Sequence, residues 1–142
     1  MLAIMTNYFQ AMHIKNLLEH KKATFFLAVF WTLLIAILCL ISFKKLPTVK
    51  IGDADKYVHF TFHLVFTLLW VIYFKSSNFS RSIIKVLLAS IIYGILIEFA
   101  QELFTTTRKA DILDVFANTS GALTAILLIY FIKKYLQKRY KN

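Results

Sequence analysis

Residues 83–132 read IIKVLLASIIYGILIEFAQELFTTTRKADILDVFANTSGALTAILLIYFI. Two apolar runs, Ile83–Phe104 and Ile112–Ile132, flank the short polar turn Thr105-Thr106-Thr107-Arg108-Lys109-Ala110. Each run approaches the roughly 20 apolar residues that a membrane-spanning helix requires. A turn this short makes the two helices antiparallel neighbours. Working outward, Thr24–Ile41 and Val58–Phe74 are two further runs of this kind, the latter the shortest and carrying two histidines. Apolar residues run continuously instead of alternating, which argues against a β-barrel. The expected fold is all-α: a polytopic membrane protein built as a four-helix transmembrane bundle. Composition agrees, because 59% of the 142 residues are hydrophobic, against roughly 45–50% in soluble domains.

A net charge of +10 with 17 Lys and Arg invites a nucleic-acid reading, but the placement of the charges opposes it. Eleven of them lie before the first span, around the link between the second and third, and in the tail; six lie on the other side. Positive residues accumulate in the cytoplasm, so both termini are expected there. Lys21-Lys22 precede a first span that is long for a signal sequence, and no small-x-small site follows it. It reads as a retained anchor. Residues 1–22 are expected as a cytoplasmic extension, loosely ordered or forming a short interfacial helix. Residues 23–133 form the membrane domain, and 134–142 a basic cytoplasmic tail that is also suited to anionic lipid. The lone Cys39 excludes an intramolecular disulfide and reads as a packed apolar residue. Four spans would make an unusually small transporter, which leaves room for an oligomer.

Six of the seven acidic residues fall at one end of this bundle: Asp53 and Asp55, Glu98 and Glu102, Asp111 and Asp114. Ionisable groups within spans are costly and usually face the bundle interior or a wet cavity. Helical spacing sorts the polar residues into stripes. Asp55, His59 and His63 share a face, as do Glu98, Gln101 and Glu102. Asp111, Asp114, Asn118 and Gly121 recur every three or four residues, which carries polar groups about 10 Å into the span. Asp111 has an alternative role as the partner of a helix dipole, and Glu98 as the partner of Lys56 or Arg108. His63 reads as a packing residue, and Glu102 and Lys109 as solvated. Gly121 with Ala117 and Ala125, and Gly94 with Ser90, read as small-residue packing strips.

The ordered series Asp55-Lys56-x-x-His59-Phe60, Glu98-x-x-Gln101 and Arg108-x-x-Asp111-x-x-Asp114-x-x-x-Asn118-x-x-Gly121 resembles the VanZ-like family of small bacterial membrane proteins. The resemblance covers residues 24–132 and leaves the first 22 outside. It implies a helical protein of the bacterial cytoplasmic membrane, in a family whose founding member is associated with low-level teicoplanin resistance. Some relatives carry an acyltransferase-like name, but this chain has only three glycines and no nucleotide or CoA loop.

Three functions compete. In the first, the chain binds a lipid-linked or glycopeptide envelope ligand without chemistry. Arg108, Lys56 and His59 would meet its anionic group, while Asp114, Asn118 and Gln101 orient its donors. Asp55 and Asp111 belong to the same binding set. In the second, the chain is a membrane-embedded hydrolase or transferase acting on a lipid headgroup, with His59, Glu98 and Asp114 as catalytic residues. The same three, with Asn118, offer nitrogen and oxygen ligands for a divalent metal. No local signature such as His-Glu-x-x-His is present. In the third, the cluster is a structural network locking the helix hairpin. The implied partners are membrane lipids or a lipid-linked precursor, and not nucleic acid.

Overall fold

The structure, a computed structural model, describes residues 2–41, 54–74, 79–105 and 109–139. They form four helices: α1 (Leu2–Leu40), α2 (Ala54–Tyr73), α3 (Phe79–Phe104) and α4 (Ile112–Arg139). Every one contains a stretch long and apolar enough to cross a membrane: His20–Leu40, Ala54–Tyr73, Phe79–Phe104 and Ile112–Arg139. The four-helix, all-α reading of the sequence therefore holds. Residues 2–22 are helical and continuous with the first span, so the N-terminal stretch shares one helix with it. The second span begins at Ala54 rather than Val58 and reaches 20 residues, which at about 1.5 Å per residue crosses a hydrocarbon core of roughly 30 Å.

Successive helices run in alternating directions. α2 and α3 form a central pair, with α1 resting on both from one side and α4 on both from the other. The bundle is apolar outside and polar within. Phe26, Phe30, Ile92, Phe99, Phe116 and Phe131 are among the large side chains turned outward, where lipid solvates them. Six of the eight largest fully buried side chains are polar: His59, His63, Thr67, Ser90, Gln101 and Asn118. Lipid tails leave helices little hydrophobic reason to associate, so close backbone approach and interhelical hydrogen bonds hold such bundles together.

α1 is fastened by side chains that bond backbone. The Trp31 indole donates to the Phe62 carbonyl at 3.0 Å, and the Tyr93 hydroxyl donates to the Thr32 carbonyl. The Trp70 indole donates to the Thr32 hydroxyl at 3.1 Å. Ile35, Cys39, Phe66 and Ile97 pack as a small apolar core beside these bonds. Cys39 is accordingly a packed residue.

α2 and α4 approach each other closely. A Cβ added at Gly121 would collide with the Phe60 carbonyl oxygen, and would stand 3.1 Å from the Leu64 nitrogen. Ala122 and Ala125 are fully buried beside it. Gly94 on α3 faces side chains instead: a Cβ there would lie 2.9 Å from Asn118 Nδ2 and 3.1 Å from His63 Cε1. Gly121→Ala must separate two backbones, so its cost should reach the upper part of the ~1–3 kcal/mol range of overpacking. Gly94→Ala should cost less, because an amide can rotate away. Thermal unfolding in detergent micelles, followed by fluorescence of Trp31 and Trp70, checks the order; equal melting temperatures would contradict it.

Candidate functional site

The end of the bundle away from both chain termini gathers the start of α2, the end of α3 and the start of α4. Each contributes for a local reason. Asp55 sits in the first turn of α2, where a carboxylate complements the helix dipole. Asp111 caps α4: its Oδ1 accepts the Leu113 amide at 2.9 Å and its carbonyl accepts the Asp114 amide at 3.0 Å. Capping groups satisfy amides that a helix start leaves without intrahelical partners. Glu98, in the last turns of α3, accepts the Asp111 amide on Oε2 at 3.2 Å. A carboxylate of one span thus holds the entry to the next.

Lys56 bridges α2 to α4, with Nζ 3.4 Å from Asp111 Oδ2 and 3.8 Å from Asp114 Oδ1. One turn deeper, His59 Nδ1 lies 3.2 Å from Asn118 Oδ1 and 3.4 Å from Glu98 Oε1. Its Nε2 lies 3.9 Å from Asp55 Oδ1. Both neighbours of Nδ1 are acceptor oxygens, so in the neutral ring Nδ1 carries the hydrogen and Nε2 presents its lone pair toward Asp55. The Glu98 carboxylate beside the same nitrogen favours this tautomer whichever way the Asn118 amide is turned.

The site has a rim and a floor. Asp55, Lys56 and Asp111 are partly exposed, whereas His59, Glu98, Asp114 and Asn118 are each at most 5% exposed. A second polar layer continues inward beside Gly94. His63 Nδ1 lies 2.8 Å from Ser90 Oγ, and the Thr67 hydroxyl donates to the same oxygen at 3.3 Å. Five buried atoms of the two layers have no hydrogen-bond partner among the described residues: His59 Nε2, His63 Nε2, Glu98 Oε1, Asp114 Oδ1 and Asn118 Nδ2. Groups of this kind normally have partners, in protein or in bound molecules.

Asp55, His59 and Asp114 each offer one ligand atom, and these atoms lie within 4.8 Å of one another. The sequence pattern puts Glu98 in such a set in place of Asp55. In the structure Glu98 stands behind His59 on its Nδ1 side, where a carboxylate orients a metal-binding imidazole. Gln101 turns away from the acids: its amide donates to the Cys39 carbonyl at 3.0 Å, tying α3 to the end of α1. Glu102 and Lys109 are exposed. Asp53 and Arg108 lie outside the described residues.

The family model described as VanZ/LLP1 matches residues 1–133. The chain belongs to the VanZ/LLP1 family. No curated protein and no solved structure matches it. The family match begins at the first residue, so it takes in the 22 residues that the motif series leaves out. In this VanZ/LLP1 protein the motif residues Lys56, His59, Glu98, Asp111, Asp114 and Asn118 are linked into one connected network of contacts. The His63, Ser90 and Thr67 layer lies outside the motif series. His63 did share the Asp55 and His59 stripe, and Ser90 was paired with Gly94, but nothing in the sequence joined the two helices at that depth.

Asp111, outside the spans, has its carboxyl held below the usual range. The main cause is the Leu113 amide; Lys56 adds to it, and partial desolvation opposes it. A lowered native value makes the charged form stabilising. That contribution is complete above the ordinary Asp pKa of about 3.9 and is lost as pH falls through the native value. Asp111→Asn should therefore lower the melting temperature at neutral pH, with the difference from wild type narrowing only as pH falls below the ordinary Asp range. Melting curves across pH test this, and a difference that does not change with pH would contradict it.

Proposed function

We propose that this protein works in the cell envelope from the bacterial cytoplasmic membrane, with both termini cytoplasmic and the acid–histidine–lysine site at the extracytoplasmic end. There it receives the phosphate-bearing headgroup of a membrane lipid or lipid-linked precursor. The observation carrying this reading is the set of buried polar atoms that have no hydrogen-bond partner among the described residues, beneath a partly exposed rim that holds Lys56. An unsatisfied group in a membrane interior costs several kcal/mol, so such a set is better explained by a ligand than by stability. Interhelical hydrogen bonds are worth only about 0.6 kcal/mol on average in membranes, which leaves a purely locking network poorly motivated. The depth also suits a headgroup, since the rim residues belong to the first turn of α2 and the cap of α4.

A second reading, hydrolysis or transfer at that headgroup, is favoured by one feature. The His59 ring has Glu98 on one side and a lone pair directed toward the rim on the other, the arrangement of an oriented general base. Protection against teicoplanin-type glycopeptides would be a cellular consequence of either reading, through occupancy or alteration of an envelope precursor.

Mass spectrometry of lipid extracted from protein purified in a neutral maltoside tests the headgroup reading. A phosphate-bearing lipid should be retained by wild type and reduced at least about tenfold in Lys56→Met, the lower end of the effect expected from losing one charge-assisted hydrogen bond of about 1.5–3 kcal/mol. Equal retention by folded wild type and Lys56→Met, or no phosphate-bearing lipid in either, would refute it.

A further inference from the structure

We infer that Asp55, His59 and Asp114 bind one divalent transition-metal ion of the Mn²⁺ or Zn²⁺ kind at the mouth of the α2–α4 interface. Asp55 and His59 stand one turn apart on α2 and so share a face; Asp114 approaches from the first turn of α4. Their ligand atoms lie within 4.8 Å of one another, and His59 Nε2 is 3.9 Å from Asp55 Oδ1. Ligands about 2.1 Å from an ion stand roughly 3.0–3.5 Å apart when adjacent and about 4.2 Å apart when opposite. Small side-chain rotations close the set.

Burial supplies the independent argument. His59 Nε2 and Asp114 Oδ1 belong to side chains 2% and 5% exposed, and neither atom has a hydrogen-bond partner among the described residues. With the ring hydrogen on Nδ1, both are acceptors, and Asp55 adds a third. Two buried acceptors and a rim carboxylate converging on one point repel one another unless positive charge lies between them. Lys56 supplies part of that charge, but its ammonium lies nearer to Asp111, at 3.4 Å, than to Asp114 Oδ1, at 3.8 Å. Among the described residues this ammonium stands near four carboxylates, Asp55, Glu98, Asp111 and Asp114.

The surrounding groups suit an ion as well. Glu98 and Asn118 both face His59 Nδ1, in the position of the partners that fix tautomer and ring direction in metal-bound histidines. One imidazole with two carboxylates is a set for Mn²⁺ or Zn²⁺; a softer ion would want thiolate, and Cys39 is packed in the apolar core instead. Three protein ligands leave further positions for water or an outside oxygen. Resting on the headgroup reading above, the ion removes that reading's main difficulty, because a phosphate oxygen then meets a cation instead of a group of acids.

Mn²⁺ alone, titrated into EDTA-stripped protein in a lipid-free maltoside and followed by the electron paramagnetic resonance signal of free Mn²⁺, tests the site. Wild type should bind one equivalent, displaced by Zn²⁺. Asp55→Asn and His59→Gln should each abolish binding in the working range, and Glu98→Gln should weaken it by about 10–100-fold, as removal of an orienting partner does. Asp55 is partly exposed at the rim, so its variant retains a folded control if the His59 variant does not. Wild type that takes up neither Mn²⁺ nor Zn²⁺ would overturn the inference. Stoichiometric binding unchanged in folded Asp55→Asn and His59→Gln would overturn it equally. Because no lipid is present, loss of the metal site and loss of the headgroup reading are separate results.

Discussion

The contact of Gly121 with the Phe60 carbonyl sets the distance between α2 and α4, and the site is built on that distance. With the two backbones this close, His59 meets Asn118 one turn away and Lys56 reaches Asp111 and Asp114 two turns beyond. A side chain at position 121 would hold the helices apart and open each of these pairs. The residue best suited to the position is therefore the one without a Cβ, and its importance lies in what it lets its neighbours do.

Polar side chains then do the work that apolar packing does in a soluble core. Lipid is as apolar as leucine, so the outward Phe and Ile side chains stabilise insertion while contributing little to which helix meets which. Partner choice rests on directional bonds: Trp31 and Tyr93 to backbone carbonyls of α2 and α1, Gln101 to the end of α1, Glu98 to the entry of α4. Gln101 and Glu98 come from one stripe of α3 and still serve different ends. Gln101 completes the attachment of α1, whereas Glu98 is shared between a helix cap and a histidine ring. Acids at a membrane surface can be simple rim charges. Here the caps and ion pairs draw them around one imidazole, so electrostatic demand is concentrated at a single point.

Much of this could be read from the chain alone, for identifiable reasons. Spans are legible because insertion depends on the summed hydropathy of about 20 residues. The stripe of Asp55 and His59 is legible because a helix repeats every 3.6 residues. The capping role open to Asp111 follows from its place just ahead of an apolar run. Asp55 and Glu98 show where that reasoning stops. Both are acids at the correct end of the bundle, and the sequence offers no means of telling which faces His59 Nε2 and which stands behind Nδ1. Gln101 is similar: its spacing from Glu98 is that of a shared face, yet its amide is directed to Cys39.

The sequence by itself determined the membrane class, the number of helices, the short link between α3 and α4, and the end of the bundle where the acids collect. These follow from composition and from periodicity within single helices. The tertiary structure alone decided which helices touch, how each is rotated about its axis, and therefore which atoms of His59 meet Asn118, Glu98 and Asp55. It also joined His63 to Ser90 in a second polar layer. The physical reason is that rotation and partner choice in lipid are set by a few close contacts and hydrogen bonds between distant segments, and a linear pattern carries no record of them.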